Sequence, residues 1–128
     1  MGRKVLVLDN SLYSRMVLRD ILISHGFSVI EASTCEDALD KYEELQPDLV
    51  TVDVTLFGMD GTQAVRRLLL KDPTASVLMC GGQGQRRAVM EGMSLGATGV
   101  LLKPFKERQV LREIRQAAGQ PPGSKPMT

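Results

Sequence analysis

Three side chains carry the chemistry that this sequence offers. Asp53 closes the apolar run of residues 49–52, Asp9 closes the run KVLVLD at residues 4–9 and is followed by Asn10, and Lys103 follows the run ATGVLL at residues 97–102. An acid at the carboxyl end of a buried strand is a metal ligand, a nucleophile or a helix cap, because ligands collect at that edge of an α/β sheet. Two carboxylates and an amide at one edge repel each other unless a cation joins them. Hard oxygen ligands in such small number suit Mg²⁺, which keeps several waters and accepts a phosphate oxygen. A lysine across the cleft is a point charge for an anion. Together they describe a pocket for a phosphoryl group with Asp53 as nucleophile, a reaction that asks for little beyond positioning and charge neutralisation. Taken singly, Asp53 is a polar strand end, Lys103 a solvated turn lysine and Asn10 a turn residue tolerant of unusual dihedrals. The convergence of acids and lysine in one cleft decides for the functional reading.

That convergence needs a particular scaffold. Residues 4–9, 27–32, 48–53, 76–80 and 97–102 are short Val- and Leu-rich runs bounded by charge or turn residues, as buried parallel strands are. Helical periodicity separates them. Leu18, Ile21 and Leu22 share one face over residues 12–25, with Arg15 and Arg19 on another and His25 as a C-terminal cap before Gly26. Ser33 and Glu36 have capping-box spacing before a helix carrying Cys35, Ala38, Leu39 and Tyr42, which Pro47 closes. Gly58 and Gly61 break the chain before a third helix bearing Val65, Leu68 and Leu69, and Pro73 ends it. A glycine-bearing loop, 81–85, precedes a fourth helix to Leu95, stopped by Gly96. Val110, Leu111, Ile114 and Ala118 mark a fifth. Strands alternating with helices predict a flavodoxin-like doubly wound α/β fold with a five-stranded parallel sheet in the order 2-1-3-4-5. Strands 1 and 3 are then neighbours where the winding reverses, and their ends carry Asp9–Asn10 and Asp53. The expected domain spans 1–118, and the Pro- and Gly-rich residues 119–128 read as a flexible tail or the start of a linker.

Composition narrows the function classes. Sixteen Lys plus Arg against fifteen Asp plus Glu leave no basic surplus for a nucleic-acid backbone or an anionic membrane. The apolar runs are too short for a membrane span, and MGRKVLVLDN meets charge too early for a signal peptide. Cys35 and Cys80 lack CxxC spacing and read as reduced, semi-buried thiols of a cytoplasmic protein. Gly81, Gly82 and Gly84 are followed by no Gly-Lys-Ser/Thr, so they read as a surface loop rather than a phosphate cradle. Met79, Met90 and Met93 read as core filler.

Over residues 4 to about 118 the sequence resembles the response-regulator receiver domain of two-component signalling, in its brevity the stand-alone chemotaxis type. The resemblance rests on the acid closing strand 1 with Arg15 six places later, the aspartate closing strand 3 with MDG after it, and GATG before Lys103-Pro104-Phe105. It implies that Asp53 accepts a phosphoryl group from a histidine kinase or phosphotransfer protein. It also implies that Asp9, Asn10, Asp53 and the Thr55 carbonyl serve Mg²⁺, and that Lys103 contacts the phosphoryl oxygens. Output would be altered binding of a downstream protein, on a face that Met90 and Met93 edge. Such a protein is a phosphoacceptor rather than an enzyme, at most catalysing its own phosphorylation and dephosphorylation, and a monomer or weak dimer is expected. Four positions depart from the family pattern. Asn10 replaces a second acid, Gly81 a Ser/Thr that hydrogen-bonds the phosphoryl group, Val100 an aromatic that changes rotamer with that hydroxyl, and Phe57 a proline. They motivate an alternative: a phosphorylation-independent pseudo-receiver that acts as a protein-interaction module. An FMN carrier would need a hydroxyl- and Gly-rich loop after strand 1. A haloacid-dehalogenase-type phosphatase would need an acid where Thr55 stands.

Overall fold

A computed structural model describes residues 3–55 and 61–118. The readings of Phe57 and Gly58 and of the tail 119–128 lie outside the described residues. Five strands, β1 (Lys4–Leu8), β2 (Ser28–Ala32), β3 (Leu49–Asp53), β4 (Val77–Gly81) and β5 (Gly99–Leu102), alternate with five helices. These are α1 (Leu12–Ser24), α2 (Cys35–Leu45), α3 (Gly61–Lys71), α4 (Arg86–Leu95) and α5 (Glu107–Ala118). Every pairing is parallel, and the strand order is β2-β1-β3-β4-β5, as the alternation predicts.

Alternate residues along each strand feed two cores, because successive side chains point to opposite faces of a sheet. Val5, Val7, Leu49, Leu78 and Leu101 pack with Leu18 and Leu22 of α1 and Val110 and Ile114 of α5. Leu6, Leu8, Val50, Val52 and Met79 pack with Ala38 of α2 and Ala64, Val65 and Leu68 of α3. With both faces covered, β3 is buried along its whole length, which is why its sequence is almost unbroken apolar. No helix among the described residues is long and apolar enough to cross a membrane.

Local chemistry sets the element ends. Ser11 caps α1 by accepting from the Ser14 N–H at 3.2 Å, a role that satisfies one of the free amides of the first turn. In α2 the capping residue is Thr34, whose hydroxyl accepts from the Asp37 N–H at 3.1 Å, and not Ser33. Two overlapping hydroxyl–acid pairs of equal spacing, Ser33–Glu36 and Thr34–Asp37, could not be told apart without the backbone. The residue that ends α2 is Gln46, held left-handed at φ 48° with its N–H on the Tyr42 carbonyl, one position before Pro47. His25 is the C-terminal cap of α1, as expected, and its Nε2 lies 2.9 Å from Glu107 Oε1.

Four sequence readings are corrected. Gly81 belongs to β4 rather than to the loop after it, since Gly81 pairs with Leu102. Gly61 begins α3 rather than breaking the chain before it. Met79 is core, whereas Met90 and Met93 are exposed by 58% and 39% and fill nothing. Cys35 and Cys80 are free thiols, fully rather than partly buried.

Candidate functional site

Parallel registry brings the strand ends level. Leu8 stands opposite Val52, Asp53 opposite Cys80, and Gly81 opposite Leu102. The residues that follow Leu8 and Leu102 are therefore brought to the edge where Asp53 lies. There Lys103 Nζ lies 3.3 Å from Asp9 Oδ2 and 3.2 Å from Asp53 Oδ2. Both acids are buried, to 3% and 2% exposure, while Lys103 reaches them from a half-buried position. These three residues, 94 positions apart at the extremes, form one cluster as the sequence predicts.

Each carboxylate spends its other oxygen locally. Asp9 Oδ1 accepts the Ser11 N–H at 2.8 Å, and Asp53 Oδ1 accepts both the N–H and the hydroxyl of Thr55, each at 3.2 Å. One oxygen of each acid is thus tied to its own loop, and the Oδ2 pair faces the lysine. Arg15 adds support from α1: its guanidinium donates to the Asp9 carbonyl at 2.7 Å and pairs with Glu31 at 3.3 Å. Helical periodicity set Arg15 on a different face of α1 from Leu18, Ile21 and Leu22, and the chain reversal after β1 turns Arg15 toward Asp9. Backbone packing is tight beneath Asp53. A Cβ on Gly61 would lie 2.3 Å from the Asp53 carbonyl oxygen, and the Gly61 N–H donates to the Val54 carbonyl at 3.0 Å. Only glycine lets α3 start this close to the acid.

The remaining predicted positions lie around this cluster. Asn10 is exposed, one residue beyond Asp9. Gly81 ends β4, and its carbonyl accepts the Lys103 N–H at 2.8 Å. Val100 is partly buried on β5, opposite Met79. The Lys103–Pro104 peptide is cis, and Lys103 Nζ lies 5.8 Å from the centre of the Phe105 ring.

Burial raises the Asp9 carboxyl above its ordinary range, with the Asp53 charge adding to it against the Ser11 N–H and Lys103. Burial also opposes the charged form of Lys103, but Asp53 and Asp9 together outweigh it and hold the ammonium above its ordinary value. Beneath the cluster, burial pushes the Cys80 thiol up to about 12. Two buried acids share a single ammonium here, so the cluster has spare negative charge and only oxygen donors. That donor set fits a hard divalent cation. Among the described residues no third Asp, Glu, His or Cys joins the pair.

A doubly wound sheet with an acid pair and a lysine at its switch point is the architecture of a phosphoryl-accepting signalling domain. Residues 5–115 match the response regulator receiver domain family, and the chain belongs to it. It is 35% identical over 119 residues to the chemotaxis protein CheY of Thermotoga maritima, covering 92% of this chain and 99% of that one. To CheY of Bacillus subtilis it is 37% identical over 117 residues, covering 91% and 98%. Among solved structures, the chemotaxis response regulator CheY4 of Vibrio cholerae superposes with a TM-score of 0.83 at 27% identity, over 91% of this chain and 99% of that one. The protein is thus a receiver of two-component signal transduction, similar over most of its length to chemotaxis receivers.

Proposed function

We propose that Asp53 is the phosphoryl acceptor, that the phosphoryl group comes from a histidine kinase or phosphotransfer protein, and that Lys103 neutralises it. The observation that carries this reading is the convergence of the Asp9 and Asp53 Oδ2 atoms on Lys103 Nζ within 3.3 Å. Asp53 Oδ1 is occupied by Thr55, which leaves Oδ2 as the attacking oxygen. Attack forms the Oδ2–P bond and breaks the P–N bond of the donor phosphohistidine, whose other ring nitrogen already carries a proton, so that the electron pair of the broken bond leaves with a neutral imidazole. Lys103, already within reach of that oxygen, shifts its hydrogen bond from carboxylate to phosphoryl oxygen. Asp9, Asn10, Asp53 and the Thr55 carbonyl are the groups that would hold Mg²⁺. The ion supplies charge neutralisation of the phosphoryl oxygens during transfer. With Asn10 in place of an acid, the cation site has one negative charge fewer and binds the ion more weakly.

The exposed Met90, Met93 and Leu102, on α4 and at the end of β5, support the binding of a downstream protein on that side. The phosphorylation step is tested by incubating the protein with acetyl phosphate, with and without Mg²⁺, and measuring intact mass. A single phosphoryl adduct that needs Mg²⁺ and is absent from Asp53→Asn is expected. An adduct of equal yield in Asp53→Asn overturns the assignment.

A further inference from the structure

The family's hydroxyl position is glycine here, and the space around it is filled by other groups. A Cβ on Gly81 would lie 2.8 Å from Val89 Cγ2 and 3.5 Å from both Gln85 Oε1 and Val54 Cγ2. Position 81 therefore has no room for a threonine unless Val89 moves. The polar group nearest that space is the carboxamide of Gln85, the residue just before α4.

Gln85 is held there by a reciprocal pair of bonds. Its backbone N–H donates to the Gly82 carbonyl at 3.1 Å, and its Oε1 accepts the Gly82 N–H at 2.7 Å. The oxygen faces a backbone donor, which assigns the amide orientation: Nε2 is the end that remains. Nε2 carries two N–H donors, and neither bonds to a described residue. The same loop borders the site. A Cβ on Gly82 would lie 3.9 Å from Gln85 Oε1, 3.6 Å from Lys103 Cβ and 3.7 Å from the Lys103 carbonyl. Gly82 thus lies with the carboxamide on one side and, on the other, the backbone of the lysine whose ammonium touches Asp53.

We propose that Gln85 replaces the missing hydroxyl: anchored through Oε1 to Gly82, its Nε2–H donates to an oxygen of the phosphoryl group on Asp53. The proposal rests on Asp53 being the acceptor. It assigns a phosphoryl-binding donor to a side chain four residues further along the chain than the family's hydroxyl, reached by a loop rather than by the strand. Gly81 and Gln85 then belong together, since a side chain at 81 would intrude on the space the amide occupies.

Beryllofluoride, a phosphoryl mimic, tests this by calorimetric titration in the presence of Mg²⁺. Wild type is compared with Gln85→Met, which keeps the length and loses both polar ends, and with Gln85→Glu, which keeps the acceptor for Gly82 and loses the donor. Both variants are expected to bind the mimic about 10-fold or more weakly, the scale of one hydrogen bond to a charged group. The affinity of Gln85→Met for Mg²⁺ alone is expected to stay within about 2-fold of wild type, which separates the loss of a phosphoryl donor from damage to the acid pair. In ¹⁵N-labelled wild-type protein the Gln85 side-chain amide resonances are expected to shift on saturation, a readout that needs no variant to fold. Beryllofluoride binding by Gln85→Met as tight as by wild type, or tighter, overturns the proposal, as does an unmoved Gln85 amide resonance. Wild-type protein that binds Mg²⁺ but no beryllofluoride overturns the Asp53 assignment itself, and this inference falls with it.

Discussion

Lys103 Nζ sits 3.2 Å from Asp53 Oδ2 and is also within 3.3 Å of Asp9 Oδ2, so one ammonium holds two buried carboxylates together. Removing one partner of a buried charge cluster costs several kcal/mol, because the groups left behind keep their desolvation cost. Lys103 retains 24% side-chain exposure, which lowers that figure. A Lys103→Met variant is expected to lose about 2 kcal/mol at neutral pH in metal-free buffer and to recover part of it with Mg²⁺. Urea unfolding with and without the ion measures both, and equal stability without metal would contradict the shared-lysine arrangement.

Gly61 is the packing counterpart of the site. Its missing Cβ would stand 2.3 Å from the Asp53 carbonyl oxygen and 2.6 Å from Val54 Cα, both backbone atoms that cannot rotate away. Gly61→Ala is expected to cost about 3 kcal/mol, the upper range for overpacking. It should also weaken beryllofluoride binding by displacing Asp53. A variant within about 0.5 kcal/mol of wild type would show that the α3 start moves freely.

At position 81 the obstruction is a side chain, so it can be relieved. Gly81→Thr is expected to cost about 1–2 kcal/mol through Val89 Cγ2 at 2.8 Å. In a Val89→Ala background the same substitution should cost less than about 0.5 kcal/mol. A double-mutant cycle reads the coupling, and additive effects would place the strain elsewhere.

Far from the site, the Tyr42 hydroxyl donates to Asp72 Oδ2 at 2.7 Å and, with Thr74, holds that carboxyl below its ordinary 3.8. Burial and Asp72 together raise the Tyr42 phenol, so it remains the donor at any working pH. A carboxyl whose folded value is depressed contributes stability that is complete above the ordinary value and lost as pH falls through the folded one. Tyr42→Phe is expected to cost about 1 kcal/mol at pH 7. The gap should narrow below about pH 4, as Asp72 takes up its proton. A gap constant down to acid pH would assign the loss to packing alone.

Much of this was readable from residue types. The strands stand out because a sheet covered on both faces leaves nearly continuous apolar runs such as that of residues 49–52, broken only by Thr51, and Asp9, Asp53 and Lys103 stand out as polar residues ending such runs. Parallel registry then places them together without any contact being known. What stayed hidden depends on backbone geometry. Thr34 caps α2 in place of Ser33 because of where the chain turns, and Gly61 stands inside the start of α3 because a Cβ there would meet the backbone of Asp53 and Val54. Gln85 carries no spacing signal, since its contact with Gly82 arises from a loop that folds back on itself. Periodicity sets Arg15 apart from the apolar face of α1 but does not name its partner, the Asp9 carbonyl, which the turn after β1 brings to it.

The central claim is that Asp53 alone becomes the acyl phosphate, and the most direct measurement is its chemical trapping. Protein treated with Mg²⁺ and acetyl phosphate is reduced with borohydride, which converts an aspartyl phosphate to homoserine, and then mapped by peptide mass spectrometry. Homoserine at position 53, lost when Mg²⁺ is omitted or Lys103 is replaced by Met, is the expected result. Homoserine at another aspartate, or unmodified Asp53 in protein that carries the phosphoryl mass, would contradict it.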